Sequence, residues 1–171
     1  MIEEKKYNSA LVLLNEAKGI VPNNTKISSA IEQVETLRPT PLNEVFLIDS
    51  DKYEYLDEVF TDSYGNTYDG AHNFDFYWSG EGYAVFNLNR EYNKLSGDIV
   101  TSTNTGNAIF KASIYCDDSL VFNQEGIAKT SGKIHFDIDV SGVTKLEFRF
   151  DQTDGSRLNS YVDLVDVGLT K

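Results

Sequence analysis

The chain has 171 residues, 40% of them hydrophobic, and a formal charge of −12; with a mean hydropathy of −0.35 it reads as a folded protein long enough to bury a core, not a disordered one. An acidic surface repels phosphate backbones and anionic lipid, which argues against nucleic acid and membrane surfaces as partners and leaves neutral polymers and cations. No run approaches the ~18 apolar residues of a membrane span, and MIEEKKYNSALVLLNEAKG lacks the apolar core and cleavage site of a signal peptide.

Residues 1–43 differ from the rest. Glu3, Glu4, Glu16, Glu32 and Glu35 balance Lys5, Lys6, Lys18, Lys26 and Arg38, so the whole net charge belongs to residues 44–171. Tyr7 is the only aromatic residue before that boundary. Tyr7, Ala10, Leu11, Leu14 and Ala17 recur at helical spacing, with Gly19 placed to end the helix. Asn24 or Thr25 can cap a second helix, whose stripe is Ile27, Ile31, Val34 and Leu37. Pro39 and Pro41 in LRPTPLN close the unit. Residues 1–43 are therefore expected to form a helical hairpin. Two lone helices bury little, so their stripes should meet the following domain, a second copy or another partner.

From residue 44 the pattern is β. Alternating or aromatic runs occur at NEVFLID, DEVF, FDFYW, YAVFNL, KLSGDIV, IFKASIY, SLVFN, KIHFDIDV, KLEFRF and VDLVDVGL. Turn signals fall between them: SYGN, YDG, WSGEG, SGD, NTGN, CDDS, QEG, TSG, VSG and TDGS. In HFDIDVSGVTKLEFRF, Phe136, Ile138 and Val140 alternate with His135, Asp137 and Asp139, the mark of a strand with one wet face. Short connectors throughout, with no helical stripe between strands, predict an antiparallel sandwich or jelly roll.

The ordered set YGNTYDGAHNF, YAVFNLNREYNKLSGDIV, ASIYCDDSLVF, IHFDIDVSGVTKLEFRF and VDLVDVGL resembles the NPCBM domain, the novel putative carbohydrate-binding module, a relative of the family 51 carbohydrate-binding modules. The resemblance rests on Phe86–Gly97, Ile114–Phe122 and Ile138–Leu146, and covers roughly residues 45–171. It implies a galactose-binding-like β-sandwich that recognises sugars, on the bacterial surface or outside the cell. One departure is Leu164, in the closing strand where many members carry tryptophan. The stretch YNSALVLLNEAKGIVPNN resembles the end of a tetratricopeptide repeat, but no second copy exists to build a groove.

A sugar needs an aromatic ring against its apolar face and polar groups on its hydroxyls. The loops at a sandwich end are free to vary, and two such segments, YGNTYDGAHNFDFYWSG and DQTDGSRLNS, hold the candidates. Tyr68, His72, Tyr77 and Trp78 lie in the first, Arg157 and Asn159 in the second. Adjacent strand residues face opposite ways, so one of Tyr77 and Trp78 points outward and the other into the core. His72 either bonds a hydroxyl or caps a turn; Arg157 and Asn159 either donate to ligand or make an ion pair and an Asx turn.

Catalysis finds less support. Asp137 and Asp139 share one wet strand face, unlike carboxylates flanking a scissile bond, and no hydrolase or nucleotide motif is present. Cys116, the single cysteine, reads as a buried bystander. No cofactor is expected. Structural calcium is a secondary possibility, drawn from the acids at Asp49–Asp51, Asp62–Asp69 and Asp151–Asp154. The sequence thus points to a non-catalytic module for a neutral glycan, with a protein-interaction or assembly module on the same fold as the alternative.

Overall fold

A computed structural model describes residues 2–77, 80–154 and 159–171, with side chains from Lys6 onward. Two helices come first, α1 (Ile2–Ile20) and α2 (Thr25–Leu37). Asn24 is the cap of α2, its Oδ1 accepting from the backbone N–H groups of Lys26 and Ile27 at 3.0 and 3.4 Å. The helices pack chiefly on each other.

Among the described residues eleven strands follow: β1 (Thr40–Pro41), β2 (Leu47–Asp51), β3 (Tyr53–Thr61), β4 (Thr67–Phe76), β5 (Glu81–Asn87), β6 (Lys94–Thr101), β7 (Phe110–Cys116), β8 (Ser119–Ile127), β9 (Ile134–Asp139), β10 (Lys145–Gln152) and β11 (Ser160–Thr170). They form two antiparallel sheets. One runs β3-β4-β11-β6-β9, with β1 added on β11; the other runs β2-β5-β10-β7-β8. The expected sandwich is present. Its sheet takes up the chain at Thr40, which pairs with Leu169, before the residue-44 boundary that composition indicated, because Pro39 ends the helical part and Leu42 is already fully buried.

The core lies between the sheets and is rich in rings: Phe74, Phe76, Phe86, Phe110, Phe136, Phe148 and Phe150 are all buried. Phe136 and Ile138 point inward while His135, Asp137 and Asp139 are exposed, and Asp137 pairs with Lys94 at 2.8 Å. The alternation in the sequence is thus a solvated outer face. Gly97 leaves room for the ring of its cross-strand partner Phe136, since a Cβ there would sit 2.7 Å from that ring and 2.9 Å from Val167.

The YDG segment, read as a turn, lies inside β4. Gly70 adopts φ +108°, so it bends the strand without reversing it. The pairing with β3 shifts between Leu56 and Val59, and the outer half of the β3–β4 hairpin folds back over the sheet. Its tip spans β11 to reach β6. Asp62 bridges Ser102, the Ser63 backbone N–H donates to Thr101 O at 2.8 Å, Ser63 Oγ donates to Lys129 O, and Tyr64 Oη to Thr130 O. Under this strap Phe60, Tyr68, Ala71, Val100 and Val165 form a second small core.

Candidate functional site

Strand β11 sets the polarity of the body. Its first residue, Ser160, pairs with Phe76, and its far end pairs with Thr40 beside the helices. The β4–β5 connection, which holds only the end of the first candidate segment, and the β10–β11 connection, which holds most of the second, therefore meet at the pole away from the helices. Backbone bonds join them to the β6–β7 connection: Gln152 N–H donates to Gly80 O at 3.0 Å, Thr153 N–H to Ile109 O at 2.8 Å and Gly106 N–H to Asn159 O at 3.4 Å. Thr105 Oγ1 donates to Tyr161 O at 2.6 Å and anchors the third loop from below.

Tyr77 is 61% exposed at this pole, and Asn159 is exposed beside it. Trp78 and Arg157 belong to the same two connections but lie outside the described residues. Lys52, at the β2–β3 turn, holds its ammonium 5.0 Å from the Phe76 ring centre. A groove of about 380 Å³ opens next to the loops, between the strap and the sheet, lined by Glu54, Asn73, Ser102, Asn104 and Tyr161 together with Leu56 and Phe60. Amide, hydroxyl and carboxylate groups over an apolar floor suit a hydroxylated ligand.

Tyr68 and His72 are corrected. Neither is a loop residue. Tyr68 is buried under the strap and donates to Asp62 Oδ2 at 3.1 Å. Burial works against the Asp62 charge, yet bonds from Asn66, Tyr64 and Tyr68 hold its carboxyl below the ordinary range. His72 is 4% exposed, with Nδ1 2.8 Å from Tyr53 Oη, and burial lowers its pKa to about 4. It is a neutral core residue that also walls a cleft of about 270 Å³ near the helices, shared with Asn8, Tyr55, Asp69, Leu164 and Asp166. That cleft marks a fork in the sheet: the β4–β11 ladder ends at His72↔Leu164, and β1 takes up β11 at Gly168. Leu164 is fully buried there and offers no platform.

Cys116 is buried, and burial pushes its thiol up. Among the described residues no three His, Cys, Asp or Glu side chains converge on a metal position; the Asp62 carboxylate is taken up by the strap tip, and Asp49 accepts from Tyr83 Oη at 3.1 Å. Glu54, Asn73, Asn104 and Tyr161 were missed in the sequence. NTGN signalled a turn but not that Asn104 would face a groove, and nothing local marks Asn73 as bonded to Asp163 across ninety positions.

A family profile described as the NPCBM/NEW2 domain matches residues 77–170. No curated protein matches. Among solved structures, the CBM51 module from Clostridium perfringens GH95, in complex with methyl-galactose, superposes with a TM-score of 0.63 at 15% identity, covering 77% of this chain and 99% of that one. The CBM51-2 and INT domains of Clostridium perfringens ZmpB, with GlcNAc, give 0.63 at 13%, covering 77% and 31%. The tandem CBM51 modules of Sp3GH98 from Streptococcus pneumoniae give 0.64 at 9%, covering 78% and 47%. The chain spans less than half the length of the last two, and at these identities the likeness is one of fold.

Proposed function

The chain belongs to the NPCBM/NEW2 domain family, and from that premise we propose that it is a non-catalytic module binding a neutral, galactose- or N-acetylglucosamine-bearing glycan at the pole away from its helices. The observation that carries this reading is the convergence of three bonded loops there, with Tyr77 exposed among them. In this reading the Tyr77 ring lies against the apolar face of the sugar. Asn159 and Asn104 bond its hydroxyls, and the groove lined by Asn73 and Tyr161 takes the next residue of the glycan. Trp78 and Arg157, in the same loops, are further contacts. Solved CBM51 neighbours hold methyl-galactose and GlcNAc, and an acidic body favours an uncharged ligand. The test is a glycan array with the full chain and its Tyr77→Ala and Trp78→Ala variants. Binding to neutral glycans is expected, weakened about tenfold or more by Tyr77→Ala, the loss of one stacked ring. Silence across neutral glycans sinks the reading.

A second reading is favoured by one observation. Leu164, where the family resemblance leads one to expect tryptophan, is fully buried and offers no ring to a sugar; in this reading the fold serves protein contact and has no sugar site. It predicts that silence, together with retained self-association or protein binding.

A further inference from the structure

Helix α1 has two faces with different environments. Tyr7, Ala10, Leu11, Leu14 and Ala17 are half-buried, on the side of α2. At 3.6 residues per turn, Lys6, Ser9, Leu13, Glu16 and Ile20 form a second stripe, rotated from the first by about a third of a turn. All five are exposed, Leu13 by 66% and Ile20 by 82%. Among the described residues neither Lys6 nor Glu16 has an ion-pair partner in its own chain.

We propose that this stripe joins two copies of the chain, with α1 packed antiparallel on α1 across a two-fold axis. Lys6 and Ser9 are three positions apart, as are Leu13 and Glu16. One antiparallel register therefore sets Lys6 against Glu16 of the partner subunit and Ser9 against the partner subunit's Leu13, and the axis repeats both contacts. Opposite charges meet at each end, and a small side chain receives a large one between them. The helical part is neutral while residues 44–171 carry the −12. The hairpin is thus the surface by which two copies approach without net repulsion, and an end-on dimer holds the acidic bodies apart. A four-helix arrangement results, with a loop pole at each end of the assembly.

Light scattering on the full chain from roughly 10 µM to 1 mM, the range for a contact under ~1,200 Å², reads the outcome. The mass should rise from 19.2 kDa toward twice that value. Leu13→Asp should hold it at the monomer. Lys6→Glu and Glu16→Lys should each weaken association by about tenfold, since each swap turns two attractions into repulsions, and K6E/E16K together should restore it. All three positions are exposed, so circular dichroism should show unchanged folding. A monomer throughout, or a dimer indifferent to the single swaps or not rescued by the double one, overturns the proposal whatever the glycan result.

Discussion

Asp163 sits on the outer face of its sheet beneath the strap and is fully buried. Its Oδ1 accepts from Asn73 Nδ2 at 2.6 Å, while Oδ2 has no partner. Burial raises its pKa to about 7, against a smaller lowering by Asn73. The unfolded chain gives up this proton near the ordinary value of 3.8. Between there and about 7 the folded state binds more protons, so its stability falls as pH rises through that window, by on the order of 4 kcal/mol at most. His72 acts in the opposite sense: held neutral to about 4, it costs stability as pH falls below 6.5. Asp163→Asn isolates the first effect. Urea midpoints should place it above the parent at pH 7.5 and level with it or below at pH 4.5; an equal gap at both pH values refutes the assignment. Such a residue is invisible in sequence, where Asp163 reads as one polar step in an alternating strand. Tyr68 and His72 misled for the same reason, because a local pattern reports polarity and aromaticity but not which strand will fold over it.

At the scale of elements, one carboxylate organises the tip of the strap. Asp62 accepts from the Tyr64 and Asn66 backbone N–H groups at 2.9 Å each, from Asn66 Nδ2 at 2.9 Å and from Tyr68 Oη at 3.1 Å. Asp62→Ala leaves the buried Tyr68 hydroxyl without its acceptor and loosens the tip from β6. The expected cost is about 2–3 kcal/mol. Amide exchange should quicken in residues 60–70 while β7 and β10 stay protected; uniform acceleration would mean that the strap is not a separate unit. The strands themselves were legible, since period-two alternation survives wherever one face is wet, as in β9. The fold-back was not. It requires Gly70 at positive φ, and YDG spells a turn and a bend alike.

For the molecule as a whole, the legible features and the candidate site occupy opposite poles. The motifs that carry the family resemblance serve the fold. Phe86 and Leu88 are core residues, and Val140, Val143 and Leu146 are buried around the β9–β10 turn. Asp117, at the Asp-Asp turn, accepts from the backbone N–H groups of Thr144 and Lys145 at 3.1 and 2.8 Å, tying two hairpins together. These constraints are local and strict, so they show in sequence; groove-lining loop residues such as Asn104 meet no such packing constraint. If that division holds, removing residues 1–38 leaves a folded body, because Leu42 and β1 remain and the helices pack chiefly on each other. The thermal midpoint should stay within a few degrees, about 1 kcal/mol, and glycan affinity should not change. Lost affinity would move the site to the helical pole.

The short β1–β11 ladder has a mechanical consequence. Thr40 pairs with Leu169 and Pro41 with Gly168, in antiparallel sense, so tension entering at Thr40 and leaving at Lys171 opens these contacts one after another, like a zipper. They yield at low force. Load is shed at the pole where tension enters, and the loops at the far pole keep their shape while this short ladder gives way.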